Sequence, residues 1–174
     1  SISKLNQSQK VVFEEMSKIR HEVGLMKVPF VIEFLQELVE DSGHKIVVFC
    51  HHKDVLAQIM KEFAGISVKV TGDDNLSDRQ AAVDRFQSDQ ECLLFFGTIG
   101  AAGVGLTLTA SSHVIFTELD WVPGNLTQAE DRTHRIGQKD SVLIQHLVLQ
   151  DSLDAYLANK VVAKQEVIDK ALDK

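Results

Sequence analysis

The chain is poor in cysteine, in proline and in positive charge, and it has no long apolar run. Its two cysteines, Cys50 and Cys92, lie far apart and form no C-x-x-C pair, which excludes a disulfide framework and a zinc knuckle. That usage suits a reducing compartment. No apolar stretch approaches the ~20 residues needed to span a bilayer, and no secretory signal is expected. With 18 Lys and Arg against 25 Asp and Glu, the net charge of −7 argues against a surface that grips nucleic acid all over. A local basic strip stays open, with Lys53, Arg79, Arg85, Arg132, Arg135 and Lys139 as candidates and scattered solvated charges as the alternative. No G-x-x-x-x-G-K-[ST] occurs, so the chain is not expected to cradle a nucleotide's phosphates by itself. His51 and His52 are adjacent on an extended stretch and point apart, so no metal site is expected.

What is present suits one folded domain of 174 residues, 44% of them hydrophobic. Because Ser1 opens an already helical-looking stretch, a piece of a longer protein is expected. The patterning predicts helices over residues 4–23 and 29–41, with 26–29 breaking the run and Pro29 opening the second helix. Short β-branched or apolar runs at 45–50, 67–71, 92–96, 113–118 and 142–149 read as strands. Helices over 53–63 and from an N-cap at Ser77 to 87 separate the first of these, and a charged helix over 152–172 closes the chain. Strands alternating with helices imply an α/β fold with a parallel sheet covered on both faces. Ligands in such folds sit at the carboxyl ends of the strands, which directs attention to the loops after Cys50, Thr71, Phe96 and Glu118.

Two stretches carry candidate chemistry. GTIGAAGVGL, residues 97–106, follows a predicted strand, and the acid Glu118 lies about 20 residues on, as a dinucleotide fold would have it. The spacing fails that reading. Ile99 occupies the second glycine position, and no crossover helix fits between Gly105 and His113. A tight turn built from small residues is the alternative. In QAEDRTHRIGQ, residues 128–138, Gln128, Arg132 and Arg135 share one face of a helix. Glu130–His134 and Asp131–Arg135 are spaced as pairs on an exposed helix, but Arg132 has no acid three or four positions away. Two guanidinium forks also suit a phosphate, which another domain would have to hold. Spacing leaves both readings open.

Beyond spacing, QAEDRTHRIGQ resembles motif VI of the Swi/Snf-type helicase-like ATPases. GTIGAAGVGLTLTAS resembles their motif V, HVIFTELDWVPG the segment joining motifs V and VI, and KIVVFCHH motif IV. TGDDNLSDRQAAVDRFQ resembles the block after motif IV, so the likeness runs in family order over residues 27–150. FCHHKDVL, GLTLTASS and ELDWVPG are similar to the annealing-helicase, fork-remodelling (HepA-related) branch. Three positions depart: Val122 stands where the family usually has Asn, and Ala102 and Thr107 replace a common Gly and Asn.

The resemblance implies a RecA-like three-layer sandwich with a mostly parallel central sheet, the second lobe of a two-lobed motor. Residues 1–26 would lead in from the preceding lobe, 27–150 form the domain, and 151–174 a brace helix. Arg132 and Arg135 would be arginine fingers toward ATP and Mg2+ held mainly by the first lobe, with Gln128 in the polar network at the γ-phosphate. Gly103 and Gly105 would let the backbone approach the nucleotide or the other lobe. Thr98, Thr71, Gly72, Arg79 and His51 would follow a DNA backbone, and Trp121 would pack beside them. The implied activity is that of a DNA-dependent ATPase acting on double-stranded or branched DNA in repair or in chromatin or fork remodelling, this chain being inactive and monomeric alone. An RNA-directed helicase is the rival, although Gln138 stands where those proteins usually have Arg. An inert lobe used for protein binding is another. Lacking a basic targeting run, the chain points to a bacterial or phage cytoplasm, or a nucleus if eukaryotic.

Overall fold

A computed structural model describes residues 2–103, 108–118 and 142–149, together with the single positions 159, 170 and 171. Helix α1 (Ile2–Ser42) leads into strand β1 (Ile46–Cys50) and helix α2 (Lys53–Met60), which tightens into a 3-10 turn, Lys61–Phe63. Strand β2 (Ser67–Val70), helix α3 (Leu76–Ser88), strand β3 (Leu94–Thr98) and a second 3-10 turn, Ile99–Gly103, follow. Strands β4 (His113–Phe116) and β5 (Leu143–His146) complete a five-stranded sheet in the order β2-β3-β1-β4-β5. Every pairing is parallel, so the sheet is more uniform than the mostly parallel one expected.

The alternation along β1 shows why both faces must be covered. Val47 and Phe49 join the core under α3, with Val83 and Phe86. Ile46, Val48 and Cys50 join the opposite core, with Val28, Val31 and Leu35 of α1 and Val55, Leu56 and Ile59 of α2. Helices on both sides of one sheet make three layers. Each fully buried aliphatic or aromatic side chain contributes about 1.5–3 kcal/mol relative to exposure.

Three expectations are corrected. Residues 26–29 do not break the chain into two helices, because α1 runs unbroken through Pro29. A proline inside a helix costs about 3 kcal/mol. Val28, Val31 and Leu35 offset it by burying against the sheet, and Lys27 Nζ donates to Leu147 O at 3.0 Å, fixing the helix on both sides of the proline. The cap of α3 is Asn75 rather than Ser77: its side chain accepts from Asp78 N at 2.8 Å, a better-placed Asx cap two residues earlier. Strand β3 extends to Thr98, so Gly97 belongs to the sheet, where an added Cβ would press on the Phe49 ring at 3.0 Å. The closing helix expected over 152–172 lies outside the described residues apart from 159, 170 and 171, which are helical. Among the described residues no helix is long and apolar enough to cross a membrane.

Candidate functional site

Strand order decides which residues meet. In the sequence His51, Thr71 and Thr98 are far apart, but β1, β3 and β2 are neighbours and run the same way. Cys50 pairs with Thr98 and Val70 with Gly97, so His51, Thr98 and Thr71 come out side by side at the carboxyl edge. Adjacent strands lie about 4.8 Å apart. The sheet therefore collects the residues expected to follow a DNA backbone, His51, Thr71, Gly72, Arg79 and Thr98, at one edge.

The loop from β2 to α3 is held by its own residues. Asp74 Oδ2 accepts from the Thr71 N–H at 2.7 Å and from the Thr71 hydroxyl at 3.3 Å, and Lys69 lies 3.2 Å from Oδ1. Burial pulls the Asp74 carboxyl upward, but the Thr71 N–H and the Lys69 ammonium outweigh it and hold it below its ordinary value. Arg79 turns back on the same loop, donating from Nε to Asp74 O at 2.9 Å and from Nη2 to Gly72 O at 3.4 Å. Lys53 reaches across from the start of α2 to Asp73 at 2.7 Å. A Cβ added at Gly72 would meet nothing within 4 Å, so this glycine faces open space.

The turn from β1 to α2 is held from outside, by Glu118 at the end of β4. Glu118 is 2% exposed. Its Oε2 accepts from the His51 and His52 N–H groups at 2.8 and 2.9 Å, and Oε1 lies 2.6 Å from His52 Nδ1. Burial raises the Glu118 carboxyl, but the donors of His52 and His51 overcome that and hold it below its ordinary value. Gly24 of α1 backs onto the same group: an added Cβ would overlap Glu118 Oε1 and lie 3.3 Å from a Val55 methyl. His21, further along α1, pairs with Asp54 at 2.6 Å, and its ring lies 4.5 Å from that of His52. Sequence reasoning weighed Glu118 only as the ribose partner of a rejected dinucleotide site. Its signal was an acid at the exit of a buried strand, which by itself does not say what it holds.

Several candidates part company. Arg85 donates to Gly65 O and Ser67 O at the opening of β2, the opposite edge from Arg79, so these two do not share a strip. Gly103 ends the short 3-10 turn after β3, which is not the long helix a dinucleotide site needs. Gly105, Trp121, Val122, Gln128, Arg132, Arg135 and Lys139 lie outside the described residues. Among the described residues, no group of three His, Cys, Asp or Glu side chains is placed to hold a metal ion. Both cysteines are buried and free, and burial pushes the Cys50 thiol up to about 12, which keeps it inert.

A parallel sheet with its loops gathered at the carboxyl edge is shared by many nucleotide-linked folds, so comparison with known proteins decides the family. Residues 28–137 match the helicase conserved C-terminal domain. The chain belongs to that family. Among its relatives is the frog Xenopus tropicalis "SWI/SNF-related matrix-associated actin-dependent regulator of chromatin subfamily A-like protein 1", 39% identical over 83% of this chain and 16% of the relative. The human "DNA annealing helicase and endonuclease ZRANB3" is 33% identical over 91% of the chain and 15% of that protein. The C-terminal part of the Fun30 ATPase domain superposes with a TM-score of 0.70 at 26% identity, over 76% of this chain and 44% of that one. The Swi/Snf-type resemblance and the RecA-like fold are thus borne out, including the likeness to annealing helicases. This helicase C-terminal domain spans about a sixth of the length of the curated relatives named. Those relatives are eukaryotic and lend no support to the bacterial or phage setting expected above.

Proposed function

We propose that this helicase C-terminal domain is the second motor lobe of an ATP-dependent translocase or remodeller of double-stranded DNA, completed by an N-terminal RecA-like lobe of the same protein. The observation that carries the reading is the family match over 28–137, which takes in both the carboxyl-edge loops and most of QAEDRTHRIGQ. The relatives' printed names, a chromatin regulator and an annealing helicase, favour DNA over RNA as the track, and a nuclear setting goes with that.

The residues fit half of a nucleotide site. The chain has neither a phosphate loop nor, among the described residues, a cage for Mg2+, but it carries two guanidinium forks. ATP with Mg2+, bound mainly by the other lobe, supplies the phosphoryl group. Arg132 and Arg135 present permanent positive charge to that anion from across the interface, and Gln128 adds a neutral donor and acceptor beside them. Gly103 and Gly105 allow close backbone approach. At the carboxyl edge, His51 and the two buried threonines Thr98 and Thr71 come together from three adjacent strands, and the bare Gly72 leaves room for a phosphate. Arg79 stiffens this loop and keeps its charge at the track. Such contacts position a duplex without reading its bases. A narrow track needs few cations, which fits a net charge of −7.

The test compares the chain alone with the chain joined to its first lobe. Alone, it shows no ATP turnover; joined, it hydrolyses ATP under stimulation by duplex DNA and not by RNA. Turnover by the highly purified chain, sensitive to Arg135→Ala, would overturn the half-site arrangement. Stronger stimulation by RNA would shift the reading to an RNA-directed helicase.

A further inference from the structure

We infer that Glu118 is a positioning residue, which acts through His52 to set the His51–His52 turn of the proposed DNA track. The inference rests on the reading of the lobe given above. It concerns a side chain that is itself buried.

Topology supplies the first reason. Glu118 follows β4 by two residues, and β4 lies next to β1 in the sheet. Its carboxylate reaches back across the sheet edge to the turn after β1, taking both N–H groups of His51 and His52 and the ring of His52. One side chain therefore joins the proposed track to the end of the neighbouring strand. A displacement of the turn has to be transmitted to Glu118 or break these three bonds.

Chemistry supplies the second. A buried carboxylate is an expensive way to fill space, and a well-packed apolar residue commonly does as well or better for stability. Here all three donors belong to one turn, and that turn is only partly buried: the His52 side chain is 24% exposed against 3% for Glu118. The pair thus has one fixed and one accessible member. The third reason is steric. Gly24 and Val55 close the other side of the carboxylate, so Glu118 cannot retreat from the turn. Asp54 and His21 pair beside it, and the His21 ring packs on that of His52, which restricts the imidazole from the α1 side.

The experiment uses the complete two-lobe protein and the single variants Glu118→Gln and His52→Asn with their double. Glu118→Gln keeps the volume and an acceptor for the two backbone donors, but removes the charge opposite the imidazole. Unfolding temperature is read first, then turnover across a series of duplex-DNA concentrations. Each single variant is expected to lower DNA-stimulated turnover roughly 10- to 100-fold, the scale of a small misplacement in a positioned site. The double variant is expected to be no worse than the poorer single, because both act through one contact. A folded Glu118→Gln protein within twofold of the parent at every DNA concentration would overturn the inference, as would losses that multiply in the double. If Glu118→Gln does not fold, His52→Asn carries the test alone, since it leaves both backbone bonds to the carboxylate: full stimulation then overturns it, and loss of stimulation supports it. Failure of the underlying reading looks different, since the parent protein itself would then lack turnover stimulated by duplex DNA.

Discussion

Two loops at the carboxyl edge do similar work by opposite means. Apart from the exposed Lys53–Asp73 pair, the loop from β2 to α3 is closed by residues within 69–79: Asp74 takes Thr71 and Lys69, Asn75 caps the helix, and Arg79 ties down two carbonyls. The turn from β1 to α2 takes its carboxylate from 66 and 67 positions away in the chain. A locally closed loop keeps its shape whatever the rest of the lobe does. A turn held from another strand keeps its shape only while the two strands keep their register. The first is suited to a fixed contact and the second to reporting on the fold around it.

Removing each carboxylate in turn separates the two loops. Glu118→Ala leaves the part-buried His51 and His52 N–H groups without their acceptor, so a loss of roughly 2 kcal/mol or more is expected in denaturant unfolding. A loss below about 1 kcal/mol would mean that the turn does not depend on Glu118. The same carboxylate shapes the acid side of the stability curve. Its folded value is depressed, so its contribution is fully present above the ordinary carboxylate range and is lost as pH falls through the folded value. Glu118→Gln should therefore flatten the acid limb, and a limb of unchanged slope would contradict this.

Gly24→Ala comes next. On an exposed helix this change gains about 1 kcal/mol. Here the new methyl meets a carboxylate pinned by three donors, so a net loss of about 1–2 kcal/mol is expected from the clash. A gain in unfolding temperature would show that Glu118 can move aside. The smallest effect belongs to Asp74→Ala. Water can replace the acceptor in a loop already at the surface, so about 1 kcal/mol or less is expected, with little change elsewhere in the lobe. A loss equal to that of Glu118→Ala would erase the distinction between the two loops.

The same distinction explains what could be read without a structure. Strands announce themselves through apolar runs such as IVVFC, and the alternation of cores on β1 follows from pleating, so the α/β class was legible. The continuity of α1 through Pro29 was not, because the proline is tolerated only where distant residues, the sheet and Leu147 O, hold the helix. Thr71, Gly72 and Arg79 could be proposed together from one contiguous block. Their meeting with Thr98 and His51 depended on the strand order β2-β3-β1, which local patterns do not encode. Glu118 was the hardest case. Its partners lie on another strand, and its glycine neighbour on α1 resembles any other helix glycine until the packing is seen.

In the function proposed above, QAEDRTHRIGQ completes an active site whose other half lies on a separate lobe. Turnover of ATP under duplex-DNA stimulation, measured in the two-lobe protein with and without Arg132→Ala, tests it most directly. An arginine finger is worth about 10³ to 10⁵ in rate, so the variant should lose turnover while largely keeping its affinity for DNA. A folded variant that retains a third of the parent rate would contradict the claim.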